Sequence, residues 1–404
     1  MSTSFLYHTF NIQGFKHKRE RYEGSRIIFE TEAKPGSFRC ACCKSYNVIR
    51  KGGQSRDLRC GRISGKLAFL RFFSHRLLCK DCGACRQMKL SFAEPKKSYI
   101  RAFSREVIGL SQKMAIQDVA DYLDVSWHVI KEIQKESLRK KFRNLKLKEV
   151  THIAIDEICI GKGRDFVTLV MDLVSGAILY MEDGKSGNSL ELFWRRLKRS
   201  GAVVEAVAID MSPAYHAAVS KNLPDAAIVF DHFHVVKLMN EKIANLRRHL
   251  WHKADSHEER NILKGTRWLL LKCPENLDEE KGEWPRLSKA LELNSSLAIA
   301  YYLKEDLRQL WSQANKEVAE RFLRAWCARA EESGISVLRK FGRKLLGARS
   351  ALLAYYDYPI STGPLEATNN KVKLIQRQAY GFRDREFFRL KVFASHDLSY
   401  KLVG

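Results

Sequence analysis

The chain has 404 residues, a formal net charge of +25 at pH 7 and a pI near 9.7. This length is enough for two or three domains, each with its own hydrophobic core. The positive charge predicts a polyanionic partner, because counterion release favours the binding of basic surfaces to nucleic acid. A ribosome-associated protein or one that binds acidic membranes is the alternative. No apolar run approaches the roughly 18 residues of a membrane span, and no hydrophobic stretch precedes the first Lys/Arg cluster, so we expect neither a membrane span nor a secretion signal.

The cysteines are concentrated in one short segment, since seven of the ten lie between Cys40 and Cys85. In an intracellular protein such clustering favours metal binding over a disulfide framework. Two CxxC pairs supply the four thiolates expected to bind one structural Zn²⁺: Cys40, Cys43, Cys79 and Cys82. Cys42 competes with Cys43, and Cys85 with Cys82; reduced thiols without a metal are the alternative. Cys60 stands alone between the pairs and is expected to pack.

The next segment predicts two helices joined by a tight turn. Apolar residues recur at helical spacing in the first helix: Ile116, Val119, Ala120 and Leu123. Asp124-Val125-Ser126 interrupts this pattern, and Ser126 is the expected N-cap of a second, basic helix. A short helix, a tight turn and a basic helix are typical of a helix-turn-helix that enters the DNA major groove. A helical hairpin that merely packs is the alternative.

A third segment, from about Thr151, predicts strands that end in acidic residues. Ile153-Ala154-Ile155 is expected to end at Asp156, and Val203 to Ile209 at Asp210; a hairpin and an amphipathic helix lie between them. A helix from about Pro213 and a last strand ending at Asp231 follow. This order is that of an RNase H-like sheet, in which the first strand would lie beside the fourth and bring Asp156 next to Asp210. Buried carboxylates are costly without a cation, so the pair predicts a metal site.

Residues 241 to about 356 change to helical spacing and contain five tryptophans, which predicts a helical insertion with its own core. Glu366 follows it, after the helix-start signal Ser361-Thr362-Gly363-Pro364-Leu365. On residue patterns alone, Glu366 is either a third metal ligand or a helix-capping glutamate. Asp231 is the rival for the second ligand. Glu157 is expected to lie at the surface or to support a ligand, and Asp172 to close the hairpin. His232 and His234 are expected to form hydrogen bonds or to face DNA rather than to bind metal.

Several motifs together resemble one family. They are Phe92-Ala93-Glu94, Gln117 to Leu123 followed by Val125-Ser126-Trp127, Ile155-Asp156-Glu157, Asp231 to Lys237, Ser361 to Lys371, and Arg377 to Arg383. Over nearly its whole length the chain resembles the transposases of bacterial insertion sequences of the ISL3 type, a branch of the DDE transposase superfamily. Thr362 and Ala367 stand where Asn and Gly are common in this family.

The resemblance implies a multi-domain α/β protein with Asp156, Asp210 and Glu366 as catalytic triad, binding two Mg²⁺ (or Mn²⁺) ions. It implies a bacterial cytoplasmic, nucleoid-associated enzyme that acts on terminal inverted repeats and target DNA, as a homodimer or higher multimer. The expected segments are residues 1–95 with the zinc ribbon, 96–148 with the helix-turn-helix, 149–240 and 358–404 as the RNase H-like core, and 241–357 as the insertion. The candidate DNA-binding residues are Ser126, Trp127, Lys131, Lys135, Lys371, Lys373, Arg377 and Arg383. The alternative function is that of a DNA-binding regulator or an inactive transposase relic.

Overall fold

The structure is a computed structural model that describes residues 5–161, 165–184, 187–379 and 381–396. The chain folds into two compact units, residues 1–143 and 144–404, and each contains a five-stranded mixed sheet. The protein is therefore of mixed α/β class, as expected. Within the described ranges no helix is long and apolar enough to cross a membrane.

The first unit combines a sheet with three consecutive helices. Its elements are α1 Phe5–Phe10, β1 Phe15–Glu23, β2 Arg26–Ala33, β3 Val48–Ile63, β4 Lys66–Cys79, β5 Cys85–Gln87, α2 Arg101–Leu110, α3 Ile116–Leu123 and α4 Trp127–Lys141. The strand order is β1-β2-β4-β3, with β5 paired to β4; β2 and β4 are parallel and the other pairs antiparallel. Cys60 packs in the interior, as expected. One hydrophobic cluster joins the strands to the helices and includes the fully buried Leu70, Phe103 and Leu123, so the sheet and the helices of this unit fold around a shared core.

The second unit begins with a sheet and continues into a long series of helices. Its elements are β6 His152–Cys159, β7 Phe166–Asp172, β8 Ile178–Asp183, α5 Glu191–Ser200, β9 Ala206–Ile209, α6 Pro213–Asn222, β10 Ala227–Phe230, α7 His232–Lys253, α8 His257–Gly265, α9 Glu283–Leu293, α10 Ser295–Arg308, α11 Lys316–Glu332, α12 Ser336–Gly347, α13 Arg349–Leu353, α14 Gly363–Gln378 and α15 Arg385–Ala394.

The strand order of this sheet is β10-β9-β6-β7-β8. The strands β6, β7 and β8 are antiparallel neighbours, whereas β9 lies parallel to β6, and β10 parallel to β9. The expected adjacency of the first and fourth strands is confirmed. Asp156 does not end its strand, however, because β7 pairs with β6 as far as Cys159.

The helices between β10 and α14 do not form a core of their own, contrary to the sequence expectation. Their buried side chains belong to the same cluster as those of the sheet, from Leu147 to Leu353. Of the tryptophans expected to form the separate core, Trp326 is fully buried and donates to the Leu303 carbonyl, but Trp268 and Trp284 are exposed. The helix α7 also runs without a break across residues 240 and 241.

Candidate functional site

Asp156 lies on the central strand β6 with 8% of its surface exposed. Its Oδ1 accepts a hydrogen bond of 2.8 Å from the Glu157 N–H, and its Oδ2 accepts one of 3.0 Å from the Asn369 side chain. Burial raises the pKa of Asp156, and the negative charge of Asp210 raises it further, although these hydrogen bonds and the nearby His234 act in the opposite direction. The side chain is thus a buried acid whose charged form a nearby cation would stabilise.

Asp210 directly follows β9, as the sequence predicts. The parallel register pairs His152 with Ala206 and Ala154 with Ala208. Continued by two residues, this register brings Asp210 opposite Asp156. The Oδ1 atom of Asp210 accepts a hydrogen bond from the Ser212 N–H, which holds the carboxylate at the turn into α6.

Asp231 directly follows β10 and has a different environment from Asp210. It is 1% exposed and caps α7 by accepting from the Phe233 N–H. Its Oδ2 also accepts from His234 Nδ1 at 2.8 Å and from Thr362 Oγ1 at 2.6 Å. Although burial opposes it, these two hydrogen bonds lower the pKa of Asp231, and the same carboxylate raises the pKa of His234. His234 is therefore hydrogen-bonded, as predicted, and Asp231 binds protein donors.

The helix α14 contacts residues of two strand regions, β10 and β6, which are separated in the sheet by β9. Thr362, its N-cap, contacts Asp231 at the end of β10, and Asn369 contacts Asp156 on β6. Seven helical residues advance by about 10.5 Å, which matches two strand spacings of about 4.8 Å each. The strand between β10 and β6 is β9, so Glu366 lies on α14 between the contacts to the two strands that flank β9.

Glu366 is the fourth residue of α14 and is exposed to solvent. Its backbone N–H donates to the carbonyl of Thr362, which is the N-cap of the helix. The three carboxylates do not meet within 4.8 Å of one another; among the described residues the one group of His, Cys, Asp or Glu that does so is the four cysteines. The structure thus brings Asp156 and Asp210 to adjacent strand positions and holds Glu366 one helical turn before a residue that touches Asp156.

Three polar residues of this region were missed by the sequence analysis. Thr362 and Asn369 flank Glu366 on α14, and Tyr215 of α6 is buried with its hydroxyl 3.4 Å from Glu157 Oε2 and 3.1 Å from Thr168 Oγ1. Helical spacing alone would have grouped Asn369 with Glu366, because residues three apart share one helix face. No sequence pattern indicates the partners of Thr362 and Tyr215. Asp172 accepts bonds from Val174 and Ser175 and closes the hairpin, as predicted.

Four cysteines of the first unit lie close enough together to bind one metal ion. The ligand atoms of Cys40, Cys43, Cys79 and Cys82 all lie within 4.8 Å of one another. The Sγ atoms of Cys40 and Cys82 are 3.6 Å apart, and those of Cys43 and Cys79 are 3.5 Å apart. Tetrahedral Zn²⁺ with Zn–S bonds of about 2.3 Å would separate its sulfurs by about 3.8 Å.

Local hydrogen bonding favours the thiolate form of Cys40 in this cluster, whereas, against a backbone hydrogen bond from Ser45, the pKa of Cys43 is raised by hydrogen bonds with the Cys79 and Cys82 thiols. Backbone N–H groups of Cys43 and Cys42 lower the pKa of the Cys40 thiol to about 6. Cys42 and Cys85, the two rival ligands, lie outside the group of four. The cluster is therefore compatible with one structural zinc ion.

The helices α3 and α4 occur where the sequence predicts them. Asp124 adopts a left-handed conformation between them, with φ 51°, and Ser126 is the N-cap of α4 without a side-chain capping bond. Arg59 of β3 is 6% exposed and donates to the Leu123 carbonyl, and Arg62 donates to that of Tyr122. The sheet thus holds the C-terminal end of α3, a contact that the sequence did not indicate.

The candidate DNA-binding residues lie on two helices and one loop. Ser126 and Trp127 are exposed at the start of α4, whereas Lys131 and Lys135 are half-buried on it. On α14 the Lys371 ammonium donates to the Ser395 carbonyl. The remaining three are exposed on α14 or just after it: Lys373, Arg377 and Arg383. Tyr380, within the last family motif, lies outside the described residues.

Comparison with known proteins identifies the chain. A transposase family, the ISL3 group of DDE transposases, matches residues 153–392. The transposase of insertion sequence element IS1001 from Bordetella parapertussis is 33% identical over 323 residues, which is 79% of each chain. The transposase of insertion sequence element IS1557 from Mycobacterium tuberculosis is 27% identical over 395 residues, or 89% of this chain and 86% of that protein.

Among solved structures, the Drosophila P element transposase strand transfer complex has a chain that is 11% identical, with a TM-score of 0.37. The match covers 72% of this chain and 91% of that one, and a score this low does not define a common fold.

The protein is thus a DDE-family insertion-sequence transposase, a class of enzyme that cleaves DNA and transfers its strands with the aid of divalent metal ions. Within that class, the chain belongs to the ISL3-type family.

Proposed function

We propose that this transposase binds the terminal inverted repeats of its insertion sequence and cuts and joins DNA through a triad of Asp156, Asp210 and Glu366. The observation that carries the proposal is the path of α14, which starts at Asp231 and contacts Asp156 through Asn369, with Glu366 between these contacts. In this proposal residues 149–240 and 358–404 form an RNase H-like core, and residues 241–357 form an insertion that packs on it.

The three carboxylates do not meet within 4.8 Å of one another, and this is compatible with a site for two metal ions. Ions about 3.5–4 Å apart, each bound by oxygen at about 2.1 Å, allow carboxylate oxygens on opposite ions to be about 8 Å apart. Ligands of different ions therefore need not come within 4.8 Å of each other. Asp156 has two hydrogen bonds on its carboxylate, which offers about four acceptor positions. One position on each oxygen is left for a cation.

Two Mg²⁺ or Mn²⁺ ions, when bound, would activate a hydroxyl group and stabilise the charge on the attacking and leaving oxygens of a phosphodiester. Asp156 would contact both ions, while Asp210 and Glu366 would each hold one side. In the cleavage step water would attack a phosphodiester at the element end, and the 3′-oxygen of the DNA would leave as a free 3′-hydroxyl. In the joining step this 3′-hydroxyl would attack a phosphodiester of the target DNA, from which the target's own 3′-oxygen would leave.

The first unit would recognise the DNA. We propose that Cys40, Cys43, Cys79 and Cys82 bind one structural Zn²⁺, and that α3 and α4 act as a helix-turn-helix in the major groove. The exposed Ser126 and Trp127 at the start of α4 would contact the DNA, with Lys131 and Lys135 on the same helix. Lys371, Lys373, Arg377 and Arg383 would line the DNA path in the second unit. Synapsis of two element ends would require a homodimer or higher multimer.

The test is cleavage and joining of terminal-repeat DNA in Mg²⁺ or Mn²⁺ by the full chain. Asp210→Asn should bind this DNA with unchanged affinity and abolish both reactions, because the neutral amide cannot hold the cation. Asp225→Asn, a change at an exposed aspartate before β10, at the opposite end of the parallel strands from Asp210, should leave both reactions intact. Cleavage by Asp210→Asn at the wild-type rate would refute the triad. A footprint on DNA without metal-dependent nicking by the wild-type chain would favour the alternative of a DNA-binding regulator or an inactive relic.

A further inference from the structure

Asn369 is not one of the expected metal ligands, yet it is buried against Asp156, the carboxylate at the centre of the proposed site. It lies on α14 with 9% of its surface exposed, and its Nδ2 donates to Asp156 Oδ2 at 3.0 Å. The acceptor is a carboxylate oxygen, so the group facing it must be the amide nitrogen. Its amide oxygen Oδ1 therefore faces away from that carboxylate oxygen.

The Oδ1 atom of Asn369 is buried and accepts no hydrogen bond from any described residue. A buried amide oxygen without a donor costs about 1–3 kcal/mol, so such an atom beside an acidic cluster indicates a donor that belongs to a ligand. A hydrated divalent ion provides that donor, because Mg²⁺ and Mn²⁺ sites built on carboxylates keep several of their water molecules.

Two contacts of α14 fix the position of Asn369 relative to β6. The strand β6 pairs with β9 from His152 to Ala154. The helix α14 contacts the part of the chain that follows, from Asp156 to Ile160. Asn369 contacts Asp156 and, seven residues later, the Gln376 side chain donates to the Ile160 carbonyl. These two contacts set the position of α14 along β6, and Glu366 lies one turn before Asn369.

We infer that Asn369 is a positioning residue of the metal site, which orients the Asp156 carboxylate through Nδ2 and accepts a hydrogen bond from metal-bound water through Oδ1. The inference rests on the proposed function, since it assigns Asn369 to the site formed by Asp156, Asp210 and Glu366. Residues that hydrogen-bond to metal ligands typically affect metal affinity by about 10- to 100-fold.

The experiment measures Mn²⁺ binding by the zinc-loaded full chain, from the loss of the electron paramagnetic resonance signal of hydrated Mn²⁺. Asn369→Ala should raise the Kd for Mn²⁺ by about 10-fold or more, and Asn369→Leu, which preserves most of the side-chain volume, should do the same. Asn370→Ala, the change at the exposed neighbour on the same helix, should change the Kd less than twofold.

Melting of the zinc-loaded chain without added Mn²⁺ or Mg²⁺ separates this role from a purely structural one. Alanine is a better helix former than asparagine, so Asn369→Ala should melt within a few degrees of the wild type under these conditions. If it lowers the melting temperature but binds Mn²⁺ with wild-type affinity, Asn369 acts on packing alone and the inference is wrong. If the wild type and Asp156→Asn bind Mn²⁺ equally weakly, the proposed metal site itself fails. Binding that depends on Asp156 but not on Asn369 overturns the inference alone.

Discussion

The hydrogen bond between Thr362 and Asp231 allows a stringent test of how α14 is held. Thr362 is 1% exposed and its hydroxyl donates to a carboxylate that is also 1% exposed. Thr362→Val keeps the shape of the side chain and removes the donor. The Asp231 carboxylate would retain its bonds from His234 and from the Phe233 N–H, so the variant should fold.

The expected loss follows from the burial and charge of the acceptor. A hydrogen bond to a charged group contributes about 1.5–3 kcal/mol, and burial on both sides favours the upper part of this range. For a domain of about 150–250 residues, each kcal/mol corresponds to about 2–4 °C in melting temperature. Thr362→Val should therefore lower the melting temperature of the full chain by about 3–12 °C.

The effect on activity should exceed the effect on folding. Glu366 lies one helical turn after Thr362, and its N–H donates to the Thr362 carbonyl, so loss of the anchor lets the start of α14 move. A displacement of about 1 Å can reduce a rate by about 100-fold. We expect DNA cleavage at a temperature where the variant is folded to fall by about 10- to 100-fold, with unchanged DNA binding.

The matched control is Ser361→Ala. The Ser361 hydroxyl accepts a solvent-exposed bond of 3.2 Å from the Gly363 N–H at the same helix start, and its removal should cost about 0.5 kcal/mol or less. If Thr362→Val melts within about 1 °C of Ser361→Ala and cleaves DNA at the same rate, the bond to Asp231 does not hold α14 and the reasoning is refuted.

Two further predictions concern the cysteine cluster and the buried ion pair. Cys79→Ser, at the buried end of β4, should abolish stoichiometric zinc in metal analysis and lower the melting temperature of the first unit. The control Cys85→Ser should retain one zinc per chain. Equal zinc contents in the two variants would contradict the proposed ligand set. The pKa of His234 is raised above 6.5 by Asp231, so the ion pair contributes stability that is complete below pH 6.5 and is lost as the pH rises through the folded-state pKa. Because the pKa of Asp231 is lowered from 3.8, the same pair is also lost in acid, below pH 3.8. In urea unfolding, the free energy of unfolding should fall above pH 6.5 in the wild type but not in His234→Asn. If the two proteins have parallel pH profiles, the ion pair is not the source of the fall.

The sequence predicted the strands and helices that have a clear pattern of apolar side chains. The strands β6 to β10 have apolar runs bounded by turn residues, and α3 has a complete apolar stripe, so local patterns were sufficient. The strands β1 and β2 were not predicted. Every residue of β1 is at least partly exposed, and most of its residues are charged, so the strand shows no clear apolar alternation.

The separate core of the insertion was a wrong inference with an identifiable cause. Five tryptophans in one segment indicate ample apolar surface, but they do not specify what covers it. In the structure α7 continues from the sheet into the insertion, and its buried residues Val235 and Ile243 belong to the same cluster as those of β9. Where tryptophan side chains pack depends on neighbours that the local pattern does not contain.

By itself, the sequence determined the cysteine pairs, the position of Asp210 at the end of a strand and the helix that begins just before Glu366, because each depends on spacing within a few residues. The tertiary structure alone decided the partners of these groups. Asn369 meets Asp156 across 213 residues of chain, and Thr362 meets Asp231 across 131. Such contacts depend on how α14 packs across the sheet, and local residue preferences do not encode that packing.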